Sequence, residues 1–157
     1  MAEKQEFHTV RGYQMLEQDR NVLTSAMEDY MEMIYRNSLN TGYVRISAVS
    51  GLLNVKASSV TKMVQKLAVI GLIQYERYGI IMLTEKGKEI GKFLLERHEI
   101  IEKFLKNIGV ENNLLVETEL MEHNVSIDTL KRLEFINKYF KVKPQVKADF
   151  LKFSNEK

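Results

Sequence analysis

The sequence predicts a mainly α-helical chain: an N-terminal winged helix-turn-helix with a small two-stranded wing, followed by an entirely helical C-terminal half. Three observations carry that prediction. Two short amphipathic stretches, 47–53 and 57–69, are joined by the tight connection Asn54-Val55-Lys56-Ala57, as in two helices that meet at a sharp angle. Two largely apolar tetrads, Leu72-Ile73-Gln74-Tyr75 and Ile80-Ile81-Met82-Leu83, flank Glu76-Arg77-Tyr78-Gly79 and read as a hairpin. From Thr84 onward only helical periodicity recurs.

Residues 1–23 show no clear period and read as an N-terminal arm with a short helix at most. Ser25 with Glu28 forms a capping box, and Met27, Tyr30, Met31, Ile34 and Tyr35 then recur at helical spacing. Asn40-Thr41-Gly42 make a turn, with Tyr43-Val44-Arg45-Ile46 as one short strand. Ser47 caps the first short helix. The second runs from about Ala57 to Val69, with Val60, Met63, Val64 and Leu67 as its inward stripe and Ser58, Ser59, Thr61, Lys62, Gln65 and Lys66 on the other face. Gly71 stops it. A long helix follows from Thr84 to about Asn107, where Gly109 ends it, and another covers about Glu111 to His123. Ser126 caps a helix through Ile127, Leu130, Leu133, Ile136 and Phe140; Lys143-Pro144 closes it, and a last short helix passes through Phe150 and Phe153. The domains are therefore the arm 1–23, a winged-helix domain 24–84, and a helical domain 85–157. The apolar stripes of the last exceed what one small subunit buries, which predicts a homodimer interface there.

Composition narrows the function. The 157 residues carry a net charge of +2, 45% hydrophobic residues and a single Pro, which excludes wholesale disorder. No apolar run approaches a membrane span, and Met1 to Glu6 lacks the apolar core of a secretory signal, so a soluble cytoplasmic protein is expected. There is no Cys, so any metal must be held by carboxylates and by His8, His98 or His123. Charge is unevenly placed: no acidic residue lies between Glu32 and Glu76, where Arg36, Arg45, Lys56, Lys62 and Lys66 fall. From Glu96 to His123 seven glutamates face three basic residues. A basic region suggests a nucleic-acid partner and an acidic one a cation.

If the second short helix enters the major groove of double-stranded DNA, Ser58, Ser59, Thr61 and Gln65 can reach base edges, while Arg45, Lys56, Lys62, Lys66 and Arg77 suit phosphates. The acidic half holds a second signal. Glu119, Glu122 and His123 share one helix face, so two carboxylates and an imidazole converge, the donor set of a divalent cation of intermediate hardness. Asp29 and Glu32 likewise sit three apart on the first helix. By spacing alone such groups are most often simply solvated.

Together these residues resemble a known family, the manganese transport regulators that form the short branch of the diphtheria toxin repressor family. The motifs are Met27-Glu28-Asp29-Tyr30 with Glu32, Ser58-Ser59-Val60-Thr61-Lys62-Met63, Leu83-Thr84 leading to Gly87, Arg97-His98-Glu99, Gly109-Val110, and Glu119 with Glu122-His123. The resemblance implies six ligands, Asp29, Glu32, His98, Glu119, Glu122 and His123, holding two Mn2+ per subunit, with Glu119 and Glu122 bridging. It also implies Fe2+, Zn2+ and Cd2+ as competitors. Carboxylates at positions 29 and 119, where the iron-responsive branch has softer sulfur ligands, suit the harder Mn2+. The implied function is repression of metal uptake genes by a homodimer on a palindromic operator, with neither a membrane nor a small-molecule substrate as partner.

Without metal, the gathered carboxylates would repel; two unit charges about 4 Å apart at an effective dielectric near 20 cost roughly 4 kcal/mol. Metal would reverse that term, tie the DNA-binding half to the dimerisation half, and so set the spacing of two recognition helices. Two rival readings stand beside this one: a dinuclear metal enzyme, and a winged-helix regulator that senses an organic ligand. The twofold Glu-x-x-His of di-metal bundles is absent, which counts against the enzyme.

Overall fold

The computed structural model describes residues 23–156 together with residues 14, 15, 17 and 18. The expected arm at 1–23 therefore lies almost wholly outside the described residues. The chain forms two compact units, Met1–Leu95 and Glu96–Lys157.

In the first unit, helix α1 (Ser25–Ser38) is capped by Thr24, whose side chain accepts a hydrogen bond from the Met27 amide at 3.3 Å. The expected cap, Ser25, is instead the first helical residue. Both hydroxyl residues can cap, but Thr24 has the extended backbone that a cap requires. Met27, Met31 and Ile34 recur on one face and are buried. Strand β1 (Val44–Arg45) leads directly into helix α2 (Ile46–Leu53). Arg45 therefore stands at the helix start without a side-chain cap, and Ser47, expected to be the cap, lies inside the helix.

Asn54 ends α2 in the left-handed region at φ 51, and the Ser50 hydroxyl donates to the Val55 carbonyl at 2.6 Å. This tight turn delivers helix α3 (Ala57–Val69), whose Val60, Val64 and Leu67 are fully buried. Strands β2 (Ile73–Glu76) and β3 (Ile80–Leu83) enclose a short 3-10 turn, Arg77–Gly79. The sheet has three strands in the order β1-β3-β2, all antiparallel, with Val44 opposite Ile81 and Tyr75 opposite Ile81 on the other side. The wing itself has the two expected strands, and the short strand expected at Tyr43–Ile46 is β1. It joins them because Ile81 is fully buried on the central strand, and its second hydrogen-bonding edge needs a partner.

Helix α4 (Glu85–Asn107) starts where the Thr84 hydroxyl accepts from the Gly87 amide at 3.0 Å and donates to the Gly71 carbonyl at 2.8 Å. Gly87 is obligatory here, since a Cβ would stand 1.9 Å from the Leu72 carbonyl oxygen. One turn later a Cβ on Gly91 would stand 2.6 Å from the Tyr35 Cβ. These two glycines let α4 approach the sheet and α1 at backbone distance, and Ile90, Phe93 and Leu94 complete the core of this unit.

The second unit comprises the rest of α4 and three helices. Gly109, at φ 93, ends α4, with the Val110 amide turned back to the Leu105 carbonyl at 2.9 Å. Helix α5 spans Leu114–Glu122 rather than starting near Glu111, because Asn113 takes a left-handed conformation at φ 55 that a helix cannot contain. Helix α6 (Ile127–Val142) is capped by Ser126, whose hydroxyl accepts from the Thr129 amide at 3.3 Å. Helix α7 (Pro144–Asn155) begins with Pro at its first position, where the missing N–H has no cost.

Ile101, Leu105, Leu130 and Leu133 form an apolar core. Beside it runs a polar chain: Lys147 Nζ donates to Asn107 Oδ1 at 2.8 Å, Asn107 Nδ2 to Asn137 Oδ1 at 2.9 Å, and Asn137 Nδ2 to the Ile100 carbonyl at 2.9 Å. Phe135, Tyr139, Val142, Phe150 and Phe153 remain exposed. That is the apolar surplus the sequence led us to expect of a subunit that pairs. Among the described residues no helix is long and apolar enough to cross a membrane.

Candidate metal centre and DNA-facing surface

In the second unit the metal-ligand candidates centre on Glu122. It closes α5 with only 2% of its surface exposed, and His98, 7% exposed, comes to it from α4. His98 Nδ1 stands 2.9 Å from Glu122 Oε2, and His123 Nε2 stands 3.8 Å from Glu122 Oε1. Each oxygen of one buried carboxylate thus faces an imidazole. A buried carboxylate is tolerated when it is hydrogen-bonded, paired or bound to a metal. The donor set, carboxylate oxygen with neutral imidazole nitrogen, is that of a divalent metal of intermediate hardness. Glu119 lies one turn earlier on α5 and is exposed. His98 Nε2 lies 4.0 Å from Glu102 Oε2 on the next turn of α4.

In the first unit, Asp29 and Glu32 lie on α1, Asp29 exposed and Glu32 half-buried. Glu32 Oε1 is paired with Arg36 at 2.5 Å, one turn along the helix. A cation taken by Glu32 must therefore compete with that guanidinium, a modest barrier because Arg36 is largely solvated.

The DNA-facing candidates all belong to the first unit. Lys56, Ser58, Ser59, Lys62, Gln65 and Lys66 are exposed on α3 and its leading turn. Thr61 differs: it is half-buried and its hydroxyl donates to the Ala57 carbonyl at 3.0 Å, which leaves its oxygen as acceptor only. Arg45 on β1 and Arg77 in the wing are exposed. Sequence reasoning passed over Tyr78, which lies in the wing turn with 89% of its surface exposed and φ 64. The signal was an aromatic residue between Arg and Gly in a hairpin turn, where nothing buries a side chain.

Residues 22–81 match the family described as iron dependent repressor, N-terminal DNA binding domain, and residues 84–151 match its metal binding and dimerisation domain. The HTH-type transcriptional regulator MntR of Oceanobacillus iheyensis is 45% identical over 119 residues, covering 75% of this chain and 81% of its own. That of Bacillus subtilis is 43% identical over 127 residues, covering 80% and 89%. Among solved structures, the manganese regulator SloR superposes with a TM-score of 0.64 at 29% identity, and the metal-dependent transcriptional regulator MtsR with 0.65 at 28%. In each case 74% of this chain is matched, and it spans 55% of the length of those longer proteins. With such identity over most of the two MntR chains, and with both domains matched in order, the chain belongs to the iron-dependent repressor family of metal-binding, DNA-binding transcriptional regulators.

Proposed function

We propose that this chain is a manganese-responsive transcriptional regulator that binds DNA as a homodimer and represses genes of metal uptake when Mn2+ is plentiful. The observation that carries the reading is Glu122, a carboxylate 2% exposed with an imidazole at each oxygen. It lies in the same chain as a helix-turn-helix whose exposed face is basic and free of acid. Regulators rather than enzymes make up the family, and close relatives bear the name of one regulator type.

The proposed ligands are Asp29 and Glu32 from the first unit and His98, Glu119, Glu122 and His123 from the second, for two ions per subunit. The set holds four carboxylates, two imidazoles and no sulfur, which suits Mn2+ better than it suits softer metals, with Fe2+, Zn2+ and Cd2+ as competitors. When bound, the metal supplies positive charge that cancels the mutual repulsion of the carboxylates. Because the donors are divided between the DNA-binding unit and the helical unit, the protein's own residues couple metal occupancy to one arrangement of a dimer. That arrangement presents two copies of α3 at the spacing of a palindromic operator. Coupling of this kind is reciprocal, so DNA tightens metal binding by the same factor.

The test is a Mn2+ titration of the metal-free protein followed by EPR, in which free Mn2+ gives a six-line signal that paired, bound ions lose. Uptake to about two ions per chain supports the bridged site. Uptake of none, or uptake unchanged in Glu122→Gln, contradicts it.

A further inference from the structure

The wing tip carries a residue that its backbone does not favour. Tyr78 sits at φ 64 and ψ 24, and Gly79 follows at φ 73. The left-handed region suits Gly and tolerates Asn, but strains a residue with a large side chain. The ring is 89% exposed, so among the described residues no packing compensates. Tyr75, on the strand that leads into the tip, is 41% exposed as well. The tip is nevertheless held in place. Ile80, just beyond it, pairs with Glu76 on one side and Arg45 on the other, and Gly79 packs on Ile46 at the start of α2, with its Cβ position 3.6 Å from the Ile46 Cβ. A strained, exposed aromatic on a fixed scaffold is an outlier of the sort that marks a contact with a partner.

The charges around it say which contact. Arg77 precedes Tyr78, Glu76 precedes Arg77, and exposed Arg45 faces Ile80 across the sheet, so the arginines beside the tip supply its ionic contacts and Tyr78 itself can add only a non-ionic one. The α3 face of the same unit, with Lys62 and Lys66 exposed, is a further ionic surface. We infer that Tyr78 is a non-ionic DNA anchor: its ring packs against deoxyribose in the minor groove beside the half-site read by α3, and Arg77 supplies the one phosphate contact of the wing. This rests on the DNA-binding reading and adds to it a specific residue and mode of contact.

The experiment uses the full-length Mn2+-loaded protein and a duplex selected from a random library by the wild type, with affinity measured across a range of salt concentrations. Tyr78→Asn keeps a residue that accepts the left-handed turn, so its denaturation midpoint rises while its DNA affinity falls by about tenfold, the scale of exposing one aromatic side chain. Its salt dependence stays that of the wild type, because no charge is lost. Tyr78→Phe binds as the wild type does. Arg77→Ala makes the log–log salt slope shallower by about 0.9, one phosphate contact. Wild-type affinity in Tyr78→Asn overturns the inference, as does a shallower salt slope in that variant. Equal losses in Tyr78→Asn and Tyr78→Phe also overturn it, since they would assign the contact to the hydroxyl. A Lys62→Ala, Lys66→Ala double variant that still binds like the wild type would refute the DNA-binding surface itself, a separate failure.

Discussion

Two glycine-to-alanine substitutions in one unit should shift stability in opposite directions. Gly91 lies on α4 where an added Cβ meets Tyr35 Cβ at 2.6 Å, Cγ at 2.8 Å and Cδ2 at 3.0 Å. The obstacle begins at a Cβ, which cannot move without its backbone, so α1 or α4 must shift. Overpacking of this kind costs about 1–3 kcal/mol, and a rigid obstacle belongs at the upper end. Alanine returns about 1 kcal/mol in helix propensity. The net expectation for Gly91→Ala is a loss of about 2 kcal/mol, or roughly 4–8 °C in the melting temperature of a chain of this size. Gly51 lies in α2, at no unusual φ, with nothing within 4 Å of an added Cβ. There Gly51→Ala keeps the propensity gain, up to about 1 kcal/mol.

The assay is thermal and urea unfolding of the metal-free proteins at one matched concentration, because dimerisation makes the midpoint concentration-dependent. Since α1 carries Asp29 and Glu32, Gly91→Ala should also weaken Mn2+ binding, whereas Gly51→Ala should not. A Gly91→Ala protein as stable as the wild type would refute the close approach of α4 to α1.

Other consequences follow from single contacts. Arg36→Gln removes the 2.5 Å ion pair between exposed Arg36 and half-buried Glu32; a pair with one solvated partner is worth about 1 kcal/mol, so Mn2+ affinity by calorimetry should rise by up to about fivefold. Lys62→Ala and Lys66→Ala should each weaken DNA binding across sequences and reduce the log–log salt slope by about 0.9, measured by anisotropy. Asn137→Leu removes one buried and one part-buried hydrogen bond and strands the Asn107 amide. It should destabilise by about 1–3 kcal/mol in urea, chiefly through the unmet donor.

The elements that the sequence specified best are those decided locally. Helix α3 has the expected bounds, Ala57–Val69, because its apolar stripe, the preceding turn and Gly71 all point the same way. Where two adjacent residues could play one part, local pattern did not choose between them. Thr24 and Ser25 both carry hydroxyls, and the backbone selects Thr24. The start of α5 moved to Leu114 because Asn113 adopts a conformation that no periodicity reveals.

Features set by distant pairing were the least legible. The partnership of β1 with β3 joins residues far apart in sequence, Val44 with Ile81 and Arg45 with Ile80. The approach of His98 to Glu122 joins residues 24 apart, and only the family resemblance, not helical spacing, linked them beforehand. Glu119 shows the converse. Its spacing from Glu122 is ideal for a shared site, yet in the structure it lies exposed.

The most direct measurement of the central claim is the affinity of the wild-type protein and Glu122→Gln for a duplex selected by the wild type, each with Mn2+ and again with chelator. The account predicts tight binding by the wild type in Mn2+, a loss of at least about tenfold in chelator, and the weak state for Glu122→Gln under both conditions, a coupling of ordinary allosteric size. Equal affinity of the wild type with and without Mn2+ would contradict it.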